Sequence, residues 1–266
     1  MNEIETILCK LLACSRSELY LERSRKALSE KESRRLEAVL RRRMSGEPLQ
    51  YLLGDADFMG LKLAVKPGVL IPRPETEVLV EETLACLKAL FPAPLKILDL
   101  CTGSGNIAIA LAAFLPARVC DEILATDISG TCLSVARGNA RRCGVSDRIM
   151  FLESDLFLNL KGRAFDAIVS NPPYVSLRDY KRLPWDVRQE PAQALLAPEN
   201  GLYFYKRIEK GSRDFLKPGG TLFLEIGDGQ RQGLLKIFSR SSLWHEPRFI
   251  RDMAGRDRVA VIRRKS

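Results

Sequence analysis

Residues 96–111 read KILDLCTGSGNIAIAL, an apolar run that suits a short strand, a turn carrying two glycines, and a second apolar run from Asn106 to Leu115 of helical length. A strand that passes through a glycine turn into a helix is the opening unit of an α/β fold. The turn itself, Asp99, Leu100, Cys101, Thr102, Gly103, Ser104 and Gly105, lets the backbone come close to a ligand. The helix start behind it attracts a carboxylate or phosphate. Gly103, Gly105 and Ala108 satisfy the loose dinucleotide pattern, which is a weak signal alone. Two ligand classes therefore stand open, a nicotinamide or flavin dinucleotide and S-adenosyl-L-methionine.

Outward from this turn the alternation continues. Strands are expected at 123–127, 149–155, 164–170, 221–227, 245–252 and 258–263, with helices at 129–143, 201–216 and 230–239. This order predicts a doubly wound, mostly parallel sheet of seven strands. Ala254-Gly255-Arg256-Asp257 joins the closing pair as a hairpin, so the last strand is expected to be antiparallel. Upstream, Ile4, Ile7, Leu8, Leu11 and Leu12, then Leu36, Val39, Leu40 and Met44, fall at helical spacing. Gly60 and Pro67-Gly68 punctuate an apolar stretch after them. The expected division is a small helical domain over 1–50, a β-hairpin linker over 51–74 and an α/β domain over 75–266.

Successive strand ends carry acids. Asp127 can accept from ribose hydroxyls, and Asp155, with Leu156 and Phe157, can accept from an adenine amino group beside apolar residues that sandwich the ring. Either acid could instead cap the helix after it. The fourth strand ends in Asn171-Pro172-Pro173-Tyr174. Prolines fix φ and carry no N–H, so this turn presents oxygen acceptors in set directions beside a flat ring, a shape suited to a planar –NH2 group. A dinucleotide leaves that turn without a task, whereas a methyl donor gives it one.

Composition bounds the rest. An apolar fraction of 46% supports a sizeable core. The balance of 42 basic against 33 acidic residues, net +9, favours an acidic or polyanionic partner without naming it. Arg41-Arg42-Arg43 reads more readily as a solvated face than as a binding patch. The seven cysteines are odd in number with no CxxC pair, which argues against a disulfide framework or zinc site. No apolar run reaches membrane-spanning length and no signal-peptide layout is present, so a cytoplasmic protein is expected.

Taken together, GEPLQYLLG (46–54), LIPRPETE (70–77), ILDLCTGSGNIAIAL (97–111), SNPPYV (170–175), VRQEPAQAL (187–195) and DMAGRDRVA (252–260) resemble the class I S-adenosylmethionine-dependent methyltransferases, and within them the HemK/PrmC family. That resemblance covers most of the chain from about Gly46. It implies transfer of a methyl group from S-adenosyl-L-methionine to the side-chain nitrogen (N5) of the glutamine in the Gly-Gly-Gln motif of peptide chain release factors, with S-adenosyl-L-homocysteine as product. The donor site then corresponds to Asp99, Cys101, Thr102, Gly103, Ser104, Gly105, Asp127, Asp155, Leu156 and Asn171. The glutamine site corresponds to Asn171, Pro172, Pro173 and Tyr174. There the Asn171 carboxamide oxygen and the Pro172 carbonyl are expected to accept the two amide hydrogens, and Tyr174 to pack on the amide plane. Cys101 stands where the family usually has glycine, and a positive φ there would strain it. Residue 156 is often aromatic in relatives, and leucine gives up stacking. Arg73, Glu75, Arg188 and Glu190 are expected to pair across the pocket. His245, the sole histidine, is expected on the surface or in packing. The competing acceptor is an exocyclic base amine of DNA or RNA, which the positive charge suits but which would need a flipped or single-stranded base.

Overall fold

A computed structural model describes residues 3–23, 27–90 and 94–266 of the chain. Nine strands are described: β1 Asp55–Phe58, β2 Leu61–Ala64, β3 Leu95–Leu100, β4 Cys120–Asp127, β5 Ile149–Glu153, β6 Phe165–Ser170, β7 Leu216–Glu225, β8 Arg248–Arg251 and β9 Asp257–Arg263. The first two form a hairpin, and the other seven form one sheet in the order β5-β4-β3-β6-β7-β9-β8. Pairings from β5 through β7 are parallel, while β9 lies antiparallel between β7 and β8. The seven-stranded, doubly wound α/β fold with its antiparallel last strand is as the sequence implies.

Strands buried on both faces read as near-continuous apolar runs, and the side chains alternate between two cores. Ile97, Ala167, Val169 and Phe223 belong to one core, which also takes in the buried helix Asn106–Phe114. Leu98, Leu100, Ile168 and Leu224 belong to the other, with Tyr205 and Ile208 of the helix Tyr203–Phe215. A fixed register follows, because a slip of one residue would exchange the two sets.

The first fifty residues carry helices Glu3–Leu12 and Glu30–Met44. Ser29 caps the second with a reciprocal capping box to Glu32, Glu30 and Glu32 lie in its first turn and Arg41, Arg42 and Arg43 in its last, each sign matching the helix dipole. Its apolar stripe is only partly covered. Leu36, Val39 and Leu40 are half-buried, while Met44, expected on the inner face, is exposed.

Some boundaries differ from expectation. Tyr51 lies in a short helix, Leu49–Leu53, so the hairpin is confined to 55–64. Its turn is Met59-Gly60, both at positive φ, the handedness that matches strand twist. Val69 and Ile71 are irregular rather than strand, and β5 ends at Glu153, which puts Asp155 in the loop beyond it. Among the described residues no helix is long and apolar enough to cross a membrane.

Candidate active site

β3 is flanked by β4 on one side and β6 on the other, so the winding direction reverses between β3 and β6. A crevice forms beyond the carboxyl ends of parallel strands at such a reversal. The principal cavity lies there. Its floor is Cys101 to Ser104 after β3, Asp127 to Ser129 after β4, Ser154 to Leu156 after β5, and Asn171 and Pro173 after β6. Gly68 with residues 70–73 and Thr76 form one wall, Pro191, Gln193 and Ala194 a second, and Phe204 with Arg207 a third.

The glycine turn is built from behind by Asp99. This fully buried carboxylate accepts from Thr102 Oγ1 at 2.6 Å and from Ala108 N at 3.2 Å, tying the turn to the helix start. Burial pushes its carboxyl up to about 7. Gly105 is also structural: φ is +85°, and a Cβ there would lie 2.9 Å from Ile109 Cδ1 and 3.0 Å from Ala136 Cβ. Asp99 and Gly105, expected to face the donor, support the turn and are not among the residues that line this cavity. Cys101 has φ 61°, the left-handed conformation that glycine takes without strain. Burial, reinforced by Asp127 and Asp99, pushes its thiol well up.

Asp127 serves two tasks. Its Oδ2 accepts from Gly103 N and its Oδ1 from Ser129 N, both at 2.9 Å, so it braces the turn and the next helix while still lining the cavity. Each oxygen keeps a lone pair for a ribose hydroxyl. Burial pushes this carboxyl up, against the pull of those N–H groups. Asp155 is held by Arg207 Nη2 at 2.9 Å, a partner 52 residues away that no local pattern marks. Leu156, at φ 50°, is buried and lines the cavity, but Phe157 does not: it stacks on Phe215 with centroids 5.2 Å apart. The ring sandwich expected of Phe157 is therefore corrected, and Ile128 supplies apolar lining instead.

At the β6 end, Asn171 and Pro173 reach the cavity, whereas Pro172 and Tyr174 are not part of its lining. Tyr174 donates from Oη to Glu225 Oε1 at 3.0 Å, and its carbonyl accepts from Gln230 Nε2 at 2.9 Å. Its ring packs against the second core on one side and stays half-buried. Burial, with Glu225 adding, pushes its hydroxyl far up. Asn171 Nδ2 donates to Thr76 Oγ1 at 3.1 Å, and Thr76 Oγ1 donates to Glu225 Oε2 at 2.6 Å. Thr76 belongs to the LIPRPETE block (70–77), whereas Glu225 does not stand out as a site residue in the sequence.

The loop after Tyr174 is tied down from afar. Glu190, buried, accepts from Ile71 N at 3.0 Å and pairs with Arg73. Burial pushes the Glu190 carboxyl up while Arg73 opposes it. Two of the four expected charged residues thus pair across the pocket. The Arg188 guanidinium instead lies 5.3 Å over the Trp185 ring, and Glu75 is exposed. Trp185 Nε1 donates to Ser45 O at 3.1 Å, and Arg43 approaches Asp186 at 3.5 Å, joining this loop to the N-terminal helices. Arg41 and Arg42 pair with Glu37 and Glu47, which fits the solvated-face reading of that basic end. His245 is exposed, and among the described residues no cluster of His, Cys, Asp and Glu is set to hold a metal.

The donor chemistry fits these residues. Ser104 lines the cavity floor beside Thr102 and Gly103 at the helix start, where a ligand carboxylate is favoured. Asp127 and Asp155 offer acceptors for hydroxyl and amino groups, and Leu156 and Ile128 an apolar surface for a ring.

Residues 1–54 match the family described as PrmC N-terminal domain, and residues 76–217 that described as Methyltransferase small domain. The release factor glutamine methyltransferase of Moorella thermoacetica is 42% identical over 225 residues, 84% of this chain and 77% of that protein. That of Thermodesulfovibrio yellowstonii is 34% identical over 265 residues, 99% of this chain and 92% of that protein. Among solved structures, a methyltransferase from Pyrococcus furiosus aligns with TM-score 0.57 at 18% identity, covering 88% of this chain and 98% of that one, a likeness of fold.

Proposed function

This chain belongs to the release factor glutamine methyltransferase family, and from that premise we propose how its own residues divide the work. The reaction is methylation of the glutamine side-chain nitrogen in the Gly-Gly-Gln motif of peptide chain release factors. When bound, S-adenosyl-L-methionine supplies an electrophilic methyl carbon on a sulfonium sulfur, and it leaves as S-adenosyl-L-homocysteine.

Thr102, Gly103, Ser104, Asp127, Asp155 and Leu156 would hold the donor. Asn171 would meet the acceptor. A carboxamide nitrogen is a poor nucleophile because its lone pair is delocalised into the carbonyl, the resonance that flattens a peptide bond. Asn171 Oδ1 accepts an amide hydrogen and thereby favours the positive charge that grows on nitrogen as the bond to carbon forms. Pro173 gives that amide an apolar wall, which fixes its approach and removes part of the entropic barrier. No side-chain base is needed, since the methylated amide cation loses its proton to water. The observation that carries the reading is the position of Asn171, whose side chain shares one cavity with the glycine turn.

Residues 1–50 form the docking domain for the release factor in this proposal, residues 51–74 the linker, and residues 75–266 the catalytic domain. The cytoplasm, where release factors work, is its compartment. The test is transfer of labelled methyl to a purified release factor, with nucleic acid offered in parallel, followed by mass spectrometry of the labelled peptide. Label on the glutamine side chain is expected. Label on nucleic acid alone would overturn the assignment.

A further inference from the structure

Glu225 is a fully buried carboxylate that the reaction as derived does not use. Parallel pairing of β6 with β7 sets Ser170 opposite Leu224, so the next residue of each strand, Asn171 and Glu225, emerge side by side at the carboxyl edge. Thr76, at the start of the helix Pro74–Leu90, reaches between them. The three side chains form a chain whose proton direction is decided at one end.

Both Glu225 oxygens accept: Oε2 from Thr76 Oγ1 at 2.6 Å and Oε1 from Tyr174 Oη at 3.0 Å. Burial pushes the Glu225 carboxyl up, and the two hydroxyls and the nearby Arg258 guanidinium oppose that shift without reversing it. Thr76 has one hydroxyl proton, and at 2.6 Å from Oε2 that proton goes to Glu225. The Thr76 oxygen is then an acceptor for Asn171, 3.1 Å away, and can be satisfied only by the amide NH2. The Asn171 oxygen is left pointing elsewhere, with no protein donor among the described residues. A rotated carboxamide would set two oxygens against each other without a proton and turn NH2 toward the substrate.

We propose that Thr76 and Glu225 are positioning residues that hold the Asn171 carboxamide with its oxygen, and not its nitrogen, toward the glutamine amide. The proposal rests on the reading that Asn171 accepts from that amide. Tyr174 shares in it, because its hydroxyl fills the other Glu225 oxygen and stops the carboxylate from turning.

Thr76→Val removes the hydroxyl at nearly constant shape, and Thr76→Ser restores it. With release factor as acceptor, Thr76→Val is expected to lower kcat about tenfold, a size set by a partly randomised acceptor. KM for the release factor and the calorimetric Kd for S-adenosyl-L-homocysteine should stay within about threefold. Thr76→Ser should recover most of the turnover. Wild-type kcat in Thr76→Val, or equal loss in Thr76→Ser, overturns the proposal. Thr76 also lines the cavity, so the double variant with Asn171→Ala separates a direct contact from an indirect one. Thr76→Val should cost nothing further once Asn171 is gone, and a full tenfold additional loss would overturn it. If Asn171→Ala itself turns over normally, the acceptor reading fails first. If Asn171→Ala is inactive while Thr76→Val is normal, only the positioning role fails.

Discussion

The two halves of the cavity are held by different means. On the donor side the bonds that shape the turn are of short and middle range: Asp99 reaches Thr102 and Ala108, three and nine residues on, Asp127 reaches Ser129, two residues on, and Gly103, 24 residues back, and Asn139 reaches Ser104, 35 residues back. On the acceptor side the bonds span most of the chain: Thr76 to Asn171 across 95 residues, Ile71 to Glu190 across 119 and Thr76 to Glu225 across 149. A donor loop made this way draws mainly on the strands and helices that follow it in the chain. The acceptor loop exists only when the whole domain has closed around it.

The sharpest way to break the comparison is to damage one half and read the other. Asn171→Ala should lower kcat about 100-fold or more, the scale of losing one preorganised polar partner of a developing charge. Its Kd for S-adenosyl-L-homocysteine should stay within about threefold, measured by calorimetry. Asp127→Ala should do the reverse, weakening that Kd by roughly tenfold or more as its hydroxyl acceptors are lost. Equal damage to both constants in both variants would mean that the halves are one unit.

Global closure is tested next by Glu190→Ala. The variant leaves Arg73 without its partner and Ile71 N without its acceptor. Roughly 3 kcal/mol of stability should be lost, the low end for a broken buried pair because Arg73 keeps some water. For a chain of this size that is a fall of roughly 6–12 °C in Tm, read by calorimetry. A change under about 2 °C would show that the acceptor loop is held by something else.

This contrast also explains what could be read without coordinates. The seven-stranded sheet was legible because each strand is a short apolar run closed by its own turn signals. The donor loop was legible because its glycines stand between an apolar strand and a helix, although the two roles of Asp127 and the supporting role of Asp99 were not separable by spacing. The NPPY turn was legible as a place, but the direction of its side chains was not. Tyr174 looks inward because Glu225 draws its hydroxyl, and Pro172 is buried. Arg207 and Glu225 carried no signal because their partners lie 52 and 51 or more residues away, and Thr76 was marked only by its place in LIPRPETE because its partner Asn171 lies 95 residues away. Glu225 read as the end of an ordinary buried strand.

A smaller effect sharpens the donor side. The Asp99 carboxyl, at about 7 against an ordinary 3.8, binds its proton more tightly folded than unfolded. Stability from this group is therefore full below pH 3.8 and is lost as pH rises toward 7. Asp99→Asn keeps an acceptor for Thr102 and Ala108 without the charge. Its Tm relative to wild type should become steadily more favourable between about pH 4 and pH 8, by roughly 2 kcal/mol or more in stability. A constant offset across that range would mean the carboxyl is not held neutral by burial.

The smallest expected effect concerns Cys101, and here opposite terms nearly cancel. A left-handed conformation costs a non-glycine residue roughly 1–2 kcal/mol, and Cys101→Gly would recover that strain. Glycine also gives back about 0.5–1 kcal/mol through the freedom of the unfolded chain. Cys101 further packs against the second core, and that contact would be lost. The net change should lie within about 1 kcal/mol, so Tm should move by no more than about 2–4 °C. Because burial and the two neighbouring aspartates keep the thiol protonated, Cys101 should also resist iodoacetamide at pH 8 in the folded protein, read by mass spectrometry of the loop peptide. A gain of several kcal/mol would mark the cysteine as a strained substitute in an otherwise unchanged loop. A near-zero change with an inert thiol would show instead that the donor turn has absorbed the side chain by local packing, in keeping with the shorter-range bonds that set it apart from the acceptor loop.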